Sequence, residues 1–252
     1  MNFIISEKYR EQKEDILKLI KEFDQRGQLF GNGVRNKIKI FDLQGREVNI
    51  KSFKVPNLVN KVAYRFFRKS KAQRSFEYAH QLLSRGIGTP YPIAYAEEKD
   101  GPFFKKSFYV SEHLQSDLTY RTLVQQRDYP QWEEILRAFT RFTFRLHEKE
   151  IEFLDHSPGN TLIQLNGGDY RFFLVDLNRM NFKPLNFEER MKNFSRLTPE
   201  KEMVAIMASE YARLSNRSEA EVFEKMWFYT EEFQRKFLKK KQMKKKLKFW
   251  KK

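Results

Sequence analysis

Cysteine is absent from the 252 residues, which excludes a disulfide framework and a thiolate metal site and suits the cytoplasm. Histidine is scarce and scattered (His80, His113, His147, His156), which argues against a zinc enzyme. No run of 18 apolar residues occurs, so no spanning helix is expected. The opening Met1-Asn2-Phe3-Ile4-Ile5-Ser6-Glu7-Lys8 is too short and too soon charged for a secretory leader. Acids are in deficit, 33 against 49 Lys and Arg, for a net charge of +16. The excess is uneven. Residues 235–252 hold Arg235 and ten Lys with no acid, so this tail carries +11 and the rest of the chain only +5. Such a distribution points to an anionic surface met by an appendage, not to a body built around nucleic acid.

What is present is enough for a large core. The chain is 40% hydrophobic with 25 Phe against 3 Trp, and its length suits one large domain or two lobes. Apolar periodicity predicts helices over 7–26 (Ile16, Leu19, Ile20, Phe23, with Gly27 as the stop), 70–83 and 132–150, and more over 186–195, 199–214 and 218–238. Strands are expected at 37–41 and 48–53 around a turn at Leu43-Gln44-Gly45-Arg46, and at 107–110 after a charged turn over 97–102.

The stretch that organises the rest is 153–178. Phe153-Leu154-Asp155-His156-Ser157-Pro158-Gly159-Asn160 reads as a polar loop, followed by a short strand, a Gly167-Gly168 turn and a second strand ending at Asp176. A hairpin there can bring Asp155, Asn160 and Asp176 to one end. Two carboxylates and an amide suit a reaction that orients a hydroxyl and holds Mg²⁺ through hard oxygen ligands. The alternative is an ordinary turn, because Asp, Ser, Pro, Gly and Asn each favour turns for local reasons.

This run resembles the catalytic and metal-binding segments of the protein-kinase-like superfamily. More narrowly, it is similar to the bacterial lipopolysaccharide kinases (Kdo/WaaP), which phosphorylate Kdo or heptose of the inner core. The resemblance implies an α+β, bilobal protein-kinase-like fold: a small antiparallel-sheet lobe with one main helix, and a larger, mostly helical lobe. The implied divisions are a nucleotide-binding lobe over 1–114, a catalytic lobe over 115–234 and the basic tail over 235–252. It further implies ATP and Mg²⁺ as cofactors. Asp155 matches the residue that accepts the acceptor hydroxyl's proton, and Asn160 and Asp176 match the metal ligands. Lys51, preferred to Lys54, matches the phosphate lysine, with Glu77 as the carboxylate that pins it; an unpartnered buried Lys would be costly. Gly31 and Gly33 fall near the phosphate-covering turn, although a third glycine is missing. Glu112 and Leu114 fall near ribose and adenine.

The sequence departs from protein kinases at Phe153, Ser157 and Leu177-Asn178, and no long activation segment follows Asn178. The resemblance to the lipopolysaccharide kinases implies Kdo-lipid A or a related core sugar as the acceptor, met at the cytoplasmic face of the inner membrane. The tail's Lys, with Phe237, Leu238, Met243, Leu247, Phe249 and Trp250, is expected to attach to anionic lipid. Nucleic acid is a weaker expectation for the tail. His147 is expected to be structural; His156 is expected to touch substrate or to be a neutral surface residue. The rival functions are a kinase of a soluble small molecule or of protein Ser/Thr, and a non-catalytic kinase-shaped scaffold.

Overall fold

The computed structural model describes residues 1–31, 36–53, 69–100 and 103–249. It divides into two units, Met1–Gln115 with Phe173–Arg179, and Ser116–Phe172 with Met180–Lys252.

Unit 1 is built on a six-stranded sheet. Its strands are β1 (Asn2–Ile5), β2 (Gln28–Phe30), β3 (Lys37–Leu43), β4 (Arg46–Phe53), β5 (Pro92–Asp100) and β6 (Phe103–Glu112), in the order β1-β5-β6-β4-β3-β2. Neighbouring strands are antiparallel throughout. The β3–β4 hairpin turns on Gln44 (φ 54°) and Gly45 (φ 80°), the left-handed pair that matches the twist of the flanking strands. Alternation along the strands sorts residues onto two faces. Val48, Ile50, Ala94 and Ala96 join Ile16, Ile20 and Phe23 of α1 (Lys13–Lys21) and its following turn in one core. Phe53 and Tyr95 join Ala72 and Phe76 of α2 (Lys71–Ser84) in another. Lys51 has the parity of Phe53, and its Nζ lies 5.3 Å from the Phe53 ring centroid. Ser70 caps α2 by accepting from the Gln73 N–H, 3.0 Å away.

Three sequence expectations change here. The helix expected over 7–26 is a 3-10 helix (Glu7–Gln12) followed by α1. Its first turn is closed by the Tyr9 N–H to the Ser6 carbonyl, while the Tyr9 hydroxyl is drawn onto Glu112. The chain then leaves through Gly27 (φ 88°), where a Cβ would stand 2.5 Å from the Phe41 ring, so both backbone and packing require glycine. The charged turn over 97–102 is mostly strand, because β5 stays paired with β6 down to Asp100 opposite Phe103, and pairing overrides the poor β propensity of Glu and Lys. Strand β1, which the sequence reading omitted, covers the edge of β5.

Unit 2 is mostly helical. It holds β7 (Leu118–Thr119), α3 (Tyr120–Gln125), α4 (Trp132–Glu148), β8 (Ile151–Phe153), β9 (Thr161–Asn166), β11 (Met180–Phe182), α5 (Phe187–Asn193), α6 (Lys201–Ser215) and α7 (Glu219–Phe249). Strand β10 (Asp169–Leu174) neighbours β9 and leads into the 173–179 segment of unit 1. Ile135, Leu136, Phe139, Phe142 and Leu146 form the buried face of α4, as the 3.6-residue period requires. Glu210 of α6 is buried, and its carboxylate is satisfied by Arg141 (3.0 Å) and Arg213 (2.6 Å). Helix α7 packs through Val222, Met226 and Thr230, then continues to Phe249, well past the expected end at 238. Lysine is a good helix former, no Gly or Pro interrupts the run, and Lys236 pairs back to Glu232 at 2.8 Å. Phe237, Leu238 and Met243 are each more than half exposed. No helix among the described residues is long and apolar enough to cross a membrane.

Candidate active site

In unit 1, residues distant in sequence gather around Asp176. The 173–179 segment is tied to the unit by Leu174, whose N–H donates to the Gly88 carbonyl and whose carbonyl accepts from the Thr89 hydroxyl. Two residues on, Asp176 takes a left-handed backbone (φ 61°), a conformation Asp tolerates better than most side chains but one that still needs support. That support is side-chain: Asp176 Oδ1 meets Lys51 Nζ at 2.7 Å and accepts from Asn178 Nδ2 at 2.6 Å. Lys51 is largely buried, with 13% of its side chain exposed, so its ammonium needs this partner.

Further cations act on the same spot. Burial, and next Arg179, lower the pKa of Lys71; Arg74 and Lys51 add to this, while Asp176 opposes it. An excess of ammonium and guanidinium around one carboxylate suits a polyphosphate. Lys71 and Asn178 are functional candidates that sequence reasoning missed. Asn178 was legible only as a departure from Phe-Gly, and Lys71 looked like one more lysine in a basic chain.

Glu77 is not the partner of Lys51. Its carboxylate is taken by Lys69 (2.8 Å) and by Gln73 Nε2 (3.0 Å), both on the approach to or first turn of α2, while Lys51 turns to Asp176. The Glu112 Oε1 accepts from Lys8 Nζ and Tyr9 Oη, each at 2.6 Å, and so clamps the 3-10 helix. The Leu114 main chain makes no backbone hydrogen bond among the described residues. Gly31 follows β2 with φ 78°; Gly33, like the alternative lysine Lys54, lies outside the described residues.

In unit 2 the Asp155–Asn160 turn leaves β8. Asn160 Nδ2 donates to the Asp155 carbonyl (2.8 Å), which leaves its Oδ1 as the atom to offer a ligand. Asp155 Oδ1 accepts from Arg196 Nη1 at 2.7 Å, and the same nitrogen donates to the Leu154 carbonyl at 3.0 Å. The Arg196 guanidinium lies 5.6 Å from the Phe233 ring centroid on α7. Sequence reasoning missed Arg196, because nothing in its local pattern marks a residue 41 positions from its carboxylate.

His156 is neither at the surface nor turned to substrate. It is 1% exposed, stacked on Phe139 (5.4 Å, 25°), and its Nε2 lies 3.2 Å from Thr143 Oγ1. Burial pushes its pKa down to about 3. His147 is likewise buried, between Tyr211 Oη (2.9 Å) and Asn193 Oδ1 (3.2 Å), and Asn193 Nδ2 donates to the Phe153 carbonyl at 2.9 Å. The histidines therefore build the floor of the turn.

Residues 18–217 match the model of the lipopolysaccharide kinase (Kdo/WaaP) family, most of the chain's length. The chain belongs to that family. Among curated proteins it is 27% identical over 143 residues to a 3-deoxy-D-manno-octulosonic acid kinase of Mannheimia succiniciproducens, a match covering 55% of this chain and 58% of that protein. Among solved structures it shares the fold of one described as WaaP in complex with acyl carrier protein. There the TM-score is 0.65 at 16% identity, with 95% of this chain and 99% of that one covered. The fold is thus α+β and kinase-like, as the family resemblance implied.

The donor set can be tested against the metal that the family implies. Among the described residues no group of three or more His, Cys, Asp or Glu could hold an ion alone. That is the ordinary situation for Mg²⁺, which keeps waters and takes one or two protein oxygens plus substrate phosphates. Asp176 and the Asn160 Oδ1 are donors of that kind.

Proposed function

We propose that this chain is an ATP-dependent phosphotransferase acting on a sugar hydroxyl of the lipopolysaccharide inner core, with Kdo of Kdo-lipid A as the acceptor. The observation that carries the reading is the Lys51–Asp176 pair at 2.7 Å. The resemblance gives both a role toward the nucleotide, and family membership supplies the reaction class. In this reading Lys51 contacts the nucleotide phosphates, with Lys71 adding charge, and Leu114 offers its main chain to adenine. Asn160 and Asp176 would hold Mg²⁺, which supplies neutralisation of the phosphate charge. Asp155, steadied by Arg196, orients the acceptor hydroxyl and takes its proton as the oxygen attacks the γ-phosphorus, the bond to the β–γ bridging oxygen breaks and ADP leaves. Rate then depends on positioning and on charge stabilisation of the transferred group.

The acceptor is an anionic lipid, which gives the basic end of α7 a purpose at the cytoplasmic face of the inner membrane. Each Lys close to an anionic surface contributes about 1 kcal/mol, so a fraction of the ten gives reversible attachment. The deciding assay is transfer of labelled phosphate from ATP to Kdo-lipid A in detergent. Absence of product from well-folded protein would remove the acceptor assignment. A chain lacking residues 239–252 is expected to keep its detergent activity within about twofold while losing most of its recovery on vesicles containing anionic lipid. Undiminished vesicle binding by the shortened chain would count against the tail's role.

A further inference from the structure

The Asp155–Asn160 turn supplies no cation of its own. Ser157 is neutral, and His156 is buried with its pKa pushed down to about 3. Both reactants bring negative charge to such a turn, the phosphoryl group on its oxygens and an acidic sugar on its carboxylate. Two arginines reach the turn from elsewhere in unit 2, and Arg196 is already engaged by Asp155 and the Leu154 carbonyl. Arg121, the second residue of α3, lies over Gly159: a Cβ on that glycine would stand 2.6 Å from Arg121 Nη2, 3.5 Å from Cζ and 3.6 Å from Nε. The close approach is made by the Nη2 tip, with Cζ and Nε at ordinary van der Waals distance behind it.

Two features mark this as a prepared position. Gly159 does not occupy the left-handed region, so its backbone has no need of glycine, and the missing side chain serves to let Arg121 approach. The base of Arg121 is also fixed. Adjacent Tyr120 is fully buried and stacks on Phe139 at 4.1 Å, the same ring that carries His156 of the turn. Yet the charged end of Arg121 is exposed and has no hydrogen-bond or ion-pair partner among the described residues. Arg196, the other arginine at the turn, is bound to Asp155 and Leu154. A planar fork of donors with no protein acceptor suits a carboxylate or phosphoryl group.

We propose that Arg121 binds an oxyanion of the reacting pair, either the carboxylate of the acidic sugar acceptor or the phosphoryl group in transfer. The proposal rests on the phosphotransferase reading above. Its test compares full-length wild type, Arg121→Ala and Arg121→Lys by equilibrium titration with 3-deoxy-D-manno-octulosonic acid, its methyl ester and MgATP, together with steady-state transfer. If the carboxylate is the ligand, Arg121→Ala weakens binding of the acid about tenfold or more and leaves the ester unchanged. If the phosphoryl group is the ligand, both affinities hold while kcat falls about tenfold or more, with partial recovery in Arg121→Lys.

Gly159→Ala provides a second perturbation, since its methyl displaces the guanidinium tip without removing the charge; it should act in the same direction as Arg121→Ala. It decides the matter if Arg121→Ala does not fold. Affinities and kcat all within about twofold of wild type, at an unchanged melting midpoint, would overturn the proposal while leaving the kinase reading intact. A wild type that binds neither the acid nor MgATP and transfers no phosphate overturns both.

Discussion

Asp155→Asn should slow phosphate transfer about a thousandfold while leaving the KM for MgATP within about threefold of wild type. The size follows from the role we propose: a positioned general base contributes roughly 10²–10⁴ in rate, and Asn can neither take the proton nor bear the charge. Asn is the informative replacement because it keeps an oxygen for the Arg196 Nη1 donor that now meets Asp155 Oδ1 at 2.7 Å. Alanine would leave Arg196, which is partly covered and also tethered to the Leu154 carbonyl, without its carboxylate. Arg196→Ala separates chemistry from positioning. It leaves the base chemically intact but unrestrained, so kcat should fall about tenfold with the KM for MgATP unchanged. Steady-state kinetics on Kdo-lipid A, with melting curves alongside, measure both. An Asp155→Asn chain that retains more than about a tenth of wild-type turnover would take Asp155 out of the role of base.

The contrast between Asp155 and Arg196 shows how far the sequence could be read. Strong local signals survived: the α4 stripe, the β3–β4 hairpin with its Gln44-Gly45 turn, and the α2 helix were all visible as periodicity and punctuation. So was Lys51, whose strand position follows from alternation. Its partner was not legible. Two carboxylates were in reach of the argument, Glu77 and Asp176, and which one a lysine meets depends on where the chain segments lie in space. In the structure Lys69 and Gln73, a few residues before Glu77, already satisfy that carboxylate.

The partners of Glu112 were illegible in the same way, since Lys8 and Tyr9 lie more than a hundred residues away in sequence. The length of α7 was missed for another reason. A lysine run with few apolar residues carries no amphipathic period, and it is held helical by intrinsic propensity, with the Lys236–Glu232 pair at its start. His156 looked available because its neighbours are turn formers, but its environment is set by Phe139 and Thr143 on α4.

Those buried imidazoles make the chain acid-sensitive in a window that can be isolated. Burial, first among the causes for both, holds His147 and His156 down to about 3; the Asn193 hydrogen bond opposes the shift at His147 and Arg190 adds to it, while His147 and Arg196 add to it at His156. In the unfolded chain each imidazole takes a proton near its ordinary pKa of about 6.5. The folded state refuses that proton until far lower pH, so the unfolded state binds more protons between the two values. Stability is therefore full above about 6.5 and declines as pH falls toward 3. At pH 5 the cost is about 2 kcal/mol for each group and about 4 kcal/mol for the pair, a large part of a typical folding free energy.

His80, whose pKa is also lowered by burial, acts in the same direction. The carboxylates with lowered pKa, Asp24, Glu112, Glu188, Glu189, Glu210 and Glu232, lose their contribution only as pH falls through and below the ordinary carboxylate range, so the interval from pH 7.5 to 5 reports the histidines. Urea midpoints across that interval should fall steeply. His156→Phe should remove a large share of the slope, because the ring keeps its stack on Phe139 and Nδ1 has no partner to lose. Equal midpoints at pH 7.5 and pH 5 in the wild type would mean that both imidazoles accept protons in place, and that the floor beneath Asp155 is wetter than its packing implies.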